Sequence, residues 1–262
     1  MRALNTAATG MMAQELNVQV ISNNIANMRT TGYKRQRAEF QDLLYEQVKR
    51  VGTQTSAQGN ILPVGVELGG GVKTVGTPRI MTQGTLLPTG NSLDVAIRGE
   101  GLFKIQMPDG TFTYTRDGSF QMDAQGRIVT PQGWVVQPGI TVPPNSTALT
   151  INAQGQVSVT VAGSTTPNVL GQITLTRFVN KAGLQSIGDN LYVETPASGA
   201  PQDTTPTVDG VGDLQQGNLE QANVDAVTEI TDLISAQRAY EMNGKVITAA
   251  DQMLQSTSNL MR

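Results

Sequence analysis

The sequence predicts an α+β protein, with an antiparallel β domain in the middle of the chain, long N- and C-terminal helices forming a coiled-coil layer, and an extended connector. Three observations predict this. Apolar residues recur every seven positions near both ends, short alternating segments fill the middle, and a stretch rich in Gly, Pro and Thr separates the first helix from that middle. The corresponding boundaries are 1–35 and 222–262 for the helices, 36–95 and 201–221 for the connector, and 96–200 for the β domain.

In the first helix, Leu4, Met11, Val18 and Ile25 form one seam, and Ala7, Gln14, Ile21 and Met28 form a second in which only Gln14 breaks the apolar pattern. Gly32, after Thr30 and Thr31, supplies a stop. Residues 45–95 hold too much Gly, Pro and Thr for a helix and too few regular strands for a core, so they are expected to run extended, with room for a long hairpin. Residues 200–220 are the expected returning partner.

The β domain is read from segments such as LFKIQM, RIVT, WVVQ, ALTI, QVSVTV and QITLTRF, divided by turn signals at Pro108-Asp109-Gly110, Asp117-Gly118, Asp123 to Gly126 and Asn152 to Gly155. Phe120 to Ile128 and Leu149 to Val157 share one pattern of apolar positions around an Asp/Asn-Ala-Gln-Gly turn, which reads as the same hairpin used twice.

For the last helix Asn223 is the expected cap, with Asp225 and Glu229 complementing the positive helix end. Ala226, Leu233, Tyr240, Ile247, Leu254 and Met261 keep a seven-residue spacing, so a helix of about 39 residues, roughly 58 Å long, is expected. Its second seam is patchier: Ile230 and Ala250 fit approximately, Asp251 and Ser258 do not. So long a helix needs a partner. The residues expected at the subunit interface are Leu4, Met11, Val18, Ile21, Ile25, Leu233, Tyr240, Ile247 and Leu254.

Composition narrows the function. Charged residues make up 15% of the 262, against a usual figure of roughly 25%, and Gln, Asn, Thr, Ser and 28 Gly take their place. A net charge of -3 argues against a nucleic-acid binder. There is no Cys and no His, which excludes thiol nucleophiles, zinc sites and Ser-His-Asp triads. No run reaches the ~18 apolar residues of a membrane span, and the N-terminal stretch lacks the apolar region of a secretory signal. If the protein leaves the cytoplasm, a route that reads something else is expected.

Several fragments imitate catalytic or binding motifs. Gly99-Glu-Gly101 starts like a dinucleotide loop, yet the third glycine is missing and a strand follows; Gly69-Gly70-Gly71 lacks the Lys-Ser/Thr of a phosphate loop. Asp94, Asp109, Asp117 and Asp123 could supply a carboxylate pair for glycan hydrolysis, but three of the four sit in turn contexts where Asp is expected for backbone reasons. The basic run YKRQR, residues 33–37, is followed by Glu39, Asp42 and Glu46, so a solvated or interfacial face is favoured over nucleic acid. No catalytic, cofactor or metal site is assigned.

The helices are the informative part. Residues 3–28 carry one charged side chain, Glu15, and residues 242–261 carry two, Lys245 and Asp251. A helix with a watered outer face carries more. Small residues, Ala236, Ala239, Gly244, Ala249 and Ala250, lie off the main seam where a second helix could approach. Two readings remain: an intramolecular helix pair with a polar exterior, or a pair packed on several sides by copies of itself.

The strings SNNIANMRTTGYKRQRAEFQDLLYE and GNLEQANVDAVTEITDLISAQRAYEMNGKVITAADQML resemble the N- and C-terminal signatures of the flagellar rod and hook axial proteins. TGNSLDVAIRGEGLFKIQMPDGTFTYTRDGSFQMDAQGRIVTPQGW is similar to the start of their shared β domain. Together these cover well over half the chain. The length favours a rod member over the hook protein, and the connector with SIGDNLYVETPASGAPQ looks most like the members that build the distal rod. Met28-Arg29, Ser92 and Ala222 depart from the usual pattern, at helix ends and turns.

The resemblance implies a rigid, torque-transmitting, helically stacked tube in the periplasmic part of the flagellar basal body, with the terminal helices inside and the β domains outside. It implies export by the flagellar type III apparatus, and as partners the same chain in a homopolymer, the proximal rod proteins, the hook protein and the surrounding P and L ring proteins. The alternatives are a proximal-rod or hook relative, or, in a different class, a secreted glycan-acting enzyme.

Overall fold

The computed structural model describes residues 2–51, 64–162 and 166–260. The chain divides into two compact units: Met1–Ile25, Gln36–Pro78 and Asp225–Arg262 form the first, and Ala26–Arg35 with Arg79–Val224 form the second. With two long helices and antiparallel sheets, the class is α+β.

In the first unit, helix α1 spans Arg2–Ala26 and helix α2 spans Ala226–Leu260. Both sequences are free of Pro, and α2 runs for 35 residues, about 52 Å at the usual rise. Met261, which continued the heptad spacing, lies outside the described residues. The cap of α2 differs from the one expected. Asp225, not Asn223, occupies it, accepting the Thr228 hydroxyl at 2.6 Å and the Val227 N–H at 3.4 Å. These bonds hold the Asp225 carboxyl below its usual range.

The same unit contains the hairpin foreseen in the connector. Glu39–Asp42 pairs with Val72–Gly76, and further out Tyr45–Lys49 pairs with Val66–Gly69. Both ladders are antiparallel. Every residue of the outer pair is exposed, and residues 52–63 of this segment lie outside the described residues.

The second unit is built on a nine-stranded antiparallel sheet. Its strand order is Gln185–Gly188, Leu191–Val193, Phe112–Thr115, Leu102–Gln106, Val135–Val136, Ile128–Val129 and Gln121–Met122, with Leu175–Arg177 also on Leu102–Gln106 and carrying Gln202–Thr204. A three-stranded sheet, Ser146–Ile151, Gln156–Val161 and Asn168–Gln172, shares its core. That core holds Val95, Ile97, Phe103, Ile105, Val157, Ile173 and Leu175, all fully buried, and Phe103 meets Phe120 edge-on at 5.0 Å. Residues 213–220 return along 86–98: Asp213–Gln216 pairs with Val95–Arg98, and Asn218–Glu220 with Leu86–Pro88.

The backbone bonds of the duplicated hairpin are the same in both copies. Gly126 donates to Asp123 O at 2.9 Å, and Gly155 to Asn152 O at 2.9 Å. The side chains of Asp123 and Asn152 each accept the N–H four residues on, both at 2.8 Å. Gly126 and Gly155 share a φ of 80°, a left-handed conformation that suits glycine. Each glycine carbonyl accepts from a neighbouring segment, Val142 N–H at 2.7 Å and Ile173 N–H at 2.8 Å.

Candidate assembly interface

Period-seven apolar residues were expected to mark the packed side of each helix. In α1 the fully buried positions are Ala7, Ala13, Val20, Ile21 and Asn24. Ile21 is thus deeply buried, whereas Leu4, Met11, Val18 and Ile25 are half-buried. In α2 the buried line is Glu229, Ala236 and Ala250, with Leu233 and Ile247 half-buried beside it and Tyr240 and Leu254 exposed at 46% and 44%.

Small residues explain this placement. A Cβ on Gly10 would lie 2.9 Å from the Asn243 amide nitrogen, so a side chain there would require the Asn243 amide to shift. Deeper in the unit, Asn24 Nδ2 donates to Glu229 Oε2 at 3.2 Å and to Gln36 O at 2.8 Å, and its Oδ1 accepts the Gln36 N–H at 2.9 Å. Asparagine is here the packed residue. The sequence pattern, which counts only apolar side chains, passed over it.

The larger apolar side chains are therefore left facing outward. Val227, Ile230, Ile234, Tyr240, Met242, Val246, Met253 and Leu254 on α2, with Met12 on α1, are all exposed. A groove of about 430 Å³ beside them is lined by Glu15, Val18, Gln19, Gln237, Tyr240 and Glu241. Exposed apolar surface on this scale marks an interaction site.

The basic run YKRQR has a different fate from the solvated or interfacial face expected of it. Lys34 is 1% exposed; its Nζ pairs with Glu220 Oε1 at 2.6 Å and donates to Thr82 O at 2.8 Å. Tyr33 is also buried, with the Arg79 guanidinium 5.9 Å from its ring centre. Arg37 forms an exposed pair with Glu39 at 2.7 Å.

Glu220 also accepts from Arg116, completing a buried triad. The rest of the Arg116 guanidinium is held by carbonyls: Nη1 donates to Gly101 O at 2.6 Å, and Nη2 to Ile97 O at 3.0 Å and Gly99 O at 2.5 Å. Gly99 and Gly101 have φ of 114° and 135°, which aims these carbonyls inward. A phosphate loop presents N–H groups to an anion. This glycine pair presents oxygens to a cation, which is the physical reason that Gly99-Glu-Gly101 only imitated a nucleotide motif.

Burial opposes ionisation of Glu220, but the Arg116 and Lys34 charges and the Gly84 N–H, 2.8 Å away, outweigh it and hold the carboxyl below its ordinary value. Burial draws the Lys34 ammonium down, with Glu220 opposing. The four candidate aspartates are each engaged locally: Asp94 by Thr89 and Asn91, Asp109 by Thr111, Asp117 by Ser119, and Asp123 by Arg127. Among the described residues no carboxylate cluster could hold a metal ion, and no helix is long and apolar enough to cross a membrane.

Long helices with exposed apolar side chains, in a chain that also carries a β-sheet unit, mark a structural subunit that packs against neighbours. Family models for a flagella basal body rod protein, for the flagellar hook protein FlgE/F/G D1 domain and for the flagellar basal body rod FlgEFG protein C-terminal region match residues 4–34, 96–159 and 215–260. The flagellar basal-body rod protein FlgG of Caulobacter vibrioides is 57% identical over 260 residues, 99% of each chain. That of Agrobacterium fabrum is 50% identical over 262 residues, all of both chains, and that of Bacillus subtilis is 36% identical over the whole of both. The chain belongs to the flagellar basal-body rod protein family: it is a structural component of the basal-body rod, not an enzyme.

Proposed function

We propose that the chain is the distal-rod subunit, self-assembling into a helical tube that transmits torque as a rigid shaft and leaves a central passage for exported proteins. The carrying observation is the set of exposed apolar side chains along α2, among them Val227, 73% exposed, and Met253, 64% exposed. In water these cost free energy; copies of the chain packed against them remove that cost. The helices then form a coiled-coil inner layer, with Leu4, Met11, Val18, Ile21, Ile25, Leu233, Tyr240, Ile247 and Leu254 divided between contacts within a subunit and contacts between subunits.

Heterologous contacts that do not close produce a helical polymer. Uncharged Asn, Gln, Ser and Thr on the remaining helix faces wet a channel without gripping either sign of charge. Proximal rod proteins and the hook protein adjoin the two ends of the tube, the P and L ring proteins surround it, and the type III apparatus delivers its subunits. Residues 45–70 are the candidate stiffening element, an extra segment wedged between subunits that restricts sliding.

Amide hydrogen exchange on the dilute protein tests the reading. Fast exchange in α1 and α2 with slow exchange in 96–200 is expected, because helices that await neighbours exchange freely. Slow exchange in both helices in dilute solution overturns it and returns the intramolecular pair.

A further inference from the structure

Three stretches of the second unit lead to the first: 26–35, the start of 79–224, and its end at Val224. All three are laced together at one place. Gly32 N–H donates to Glu220 O at 2.8 Å, Ile80 N–H to Arg35 O at 2.8 Å, and Arg35 N–H to the Asn223 side chain at 2.7 Å. The Asn223 amide in turn donates to Ile80 O at 2.8 Å and to Thr82 O at 3.1 Å. Lys34 and Glu220 form the centre of this lacing, and Arg116 fastens both to the carbonyls of Ile97, Gly99 and Gly101.

We propose that the Lys34–Glu220–Arg116 triad is a tension joint, which passes force from the chain segment after α1 directly to the segment before α2, so that the β sheet is not pulled apart by it. The shortest polar route between the two leads is Lys34 Nζ to Glu220 Oε1, 2.6 Å. Pulling the leads apart loads this ion pair and the Gly32–Glu220 bond before any strand pairing of the nine-stranded sheet. The triad is buried, so water does not compete for its bonds while it is loaded. A surface pair would slip. Glu220 is also held by the Gly84 N–H, so all three leads share the load through one carboxylate.

The proposal rests on the reading of the chain as a torque-carrying subunit, but its test does not. The chain has no cysteine, so Ala3→Cys and Asn259→Cys give unique handles for pulling a single full-length molecule by its ends. Lys34→Met and Glu220→Gln are compared with Lys104→Met, which removes the Lys104–Asp203 pair elsewhere in the same unit. Both triad variants are expected to yield at lower force in a separate early step, with about 35 Å of added length for each ten residues released, while Lys104→Met behaves as the parent. Lys34→Met retains the Arg116–Glu220 pair, so it supplies a folded triad variant should Glu220→Gln fail to fold. Rupture of folded Lys34→Met in one step at the parental force overturns the proposal. Motility in viscous medium, which depends on the assembled shaft, tests the underlying reading separately.

Discussion

Asn24 and Glu229 meet in the interior of the helical unit, Nδ2 to Oε2 at 3.2 Å, although 205 positions of sequence separate them. With the Gln36 backbone they join three stretches of chain through one side chain. Asn24→Leu leaves the Gln36 amide and one Glu229 oxygen without this partner, at about 1–3 kcal/mol for each buried group. The concentration needed for polymerisation should rise by roughly 5- to 150-fold for one such group. Sedimentation of assembled protein measures it, and an unchanged threshold contradicts the assignment.

Leu254 and Ile21 were read from the sequence as equivalent seam positions, yet one is 44% exposed and the other 4%. Leu254→Asp should leave the subunit folded and block incorporation into the rod. Ile21→Asp should disrupt the helical unit itself, and Ile25→Asp, at a half-buried position, should also abolish incorporation. Normal motility of the Leu254→Asp or Ile25→Asp strain refutes the interface.

Alanine at either hairpin glycine should destabilise the second unit. A Cβ at Gly126 would lie 2.4 Å from Val142 O, and one at Gly155 would lie 2.5 Å from Ile173 O, both with left-handed φ. The left-handed conformation alone costs about 1–2 kcal/mol, and the clash adds to it. Urea midpoints should fall by similar amounts in the two variants. A variant as stable as the parent would mean that the turn does not need its glycine.

Acid should weaken the second unit through Glu220. Its carboxyl is held below the ordinary value in the folded state, so its stabilising contribution is fully present above that value and is lost as pH falls through the lower folded one. Loss therefore begins below about pH 4.3. The difference in urea midpoint between pH 6 and pH 3 should be smaller in Glu220→Gln than in the parent; equal differences would show that other carboxylates carry the effect.

Deletion of 45–70 should give rods that assemble but bend. The outer hairpin strands are exposed along their whole length, and a two-stranded ladder of this kind is marginal without cover. Electron microscopy decides: straight, stiff deleted rods end the idea.

Both helices and the doubled hairpin were legible because each follows a local rule: heptad spacing and an Asp/Asn-Ala-Gln-Gly turn. The expected stop at Gly32 was not met: α1 ends at Ala26, six residues earlier, in a run of turns that Gly32 closes with a left-handed φ of 68°. The packed faces were not legible. Heptad reading scores apolar residues of any size, whereas the buried helix positions besides Val20 and Ile21 are Ala7, Ala13, Asn24, Glu229, Ala236 and Ala250, small or polar side chains. Lys34 and Glu220 were missed for a related reason. Charges are read as solvated by default, and only the fold brings together partners separated by 186 positions.

The two hairpins at Asp123–Gly126 and Asn152–Gly155 have different neighbours, one lying in the nine-stranded sheet and the other in the three-stranded sheet. Their backbone bonds are nevertheless the same. A shape that survives a change of surroundings is written in its own few residues, so this corner is a transferable part. Grafted between two strands of an unrelated antiparallel protein, the nine residues from Phe120 to Ile128 should turn the chain in the same way and offer the same glycine carbonyl to a neighbouring segment.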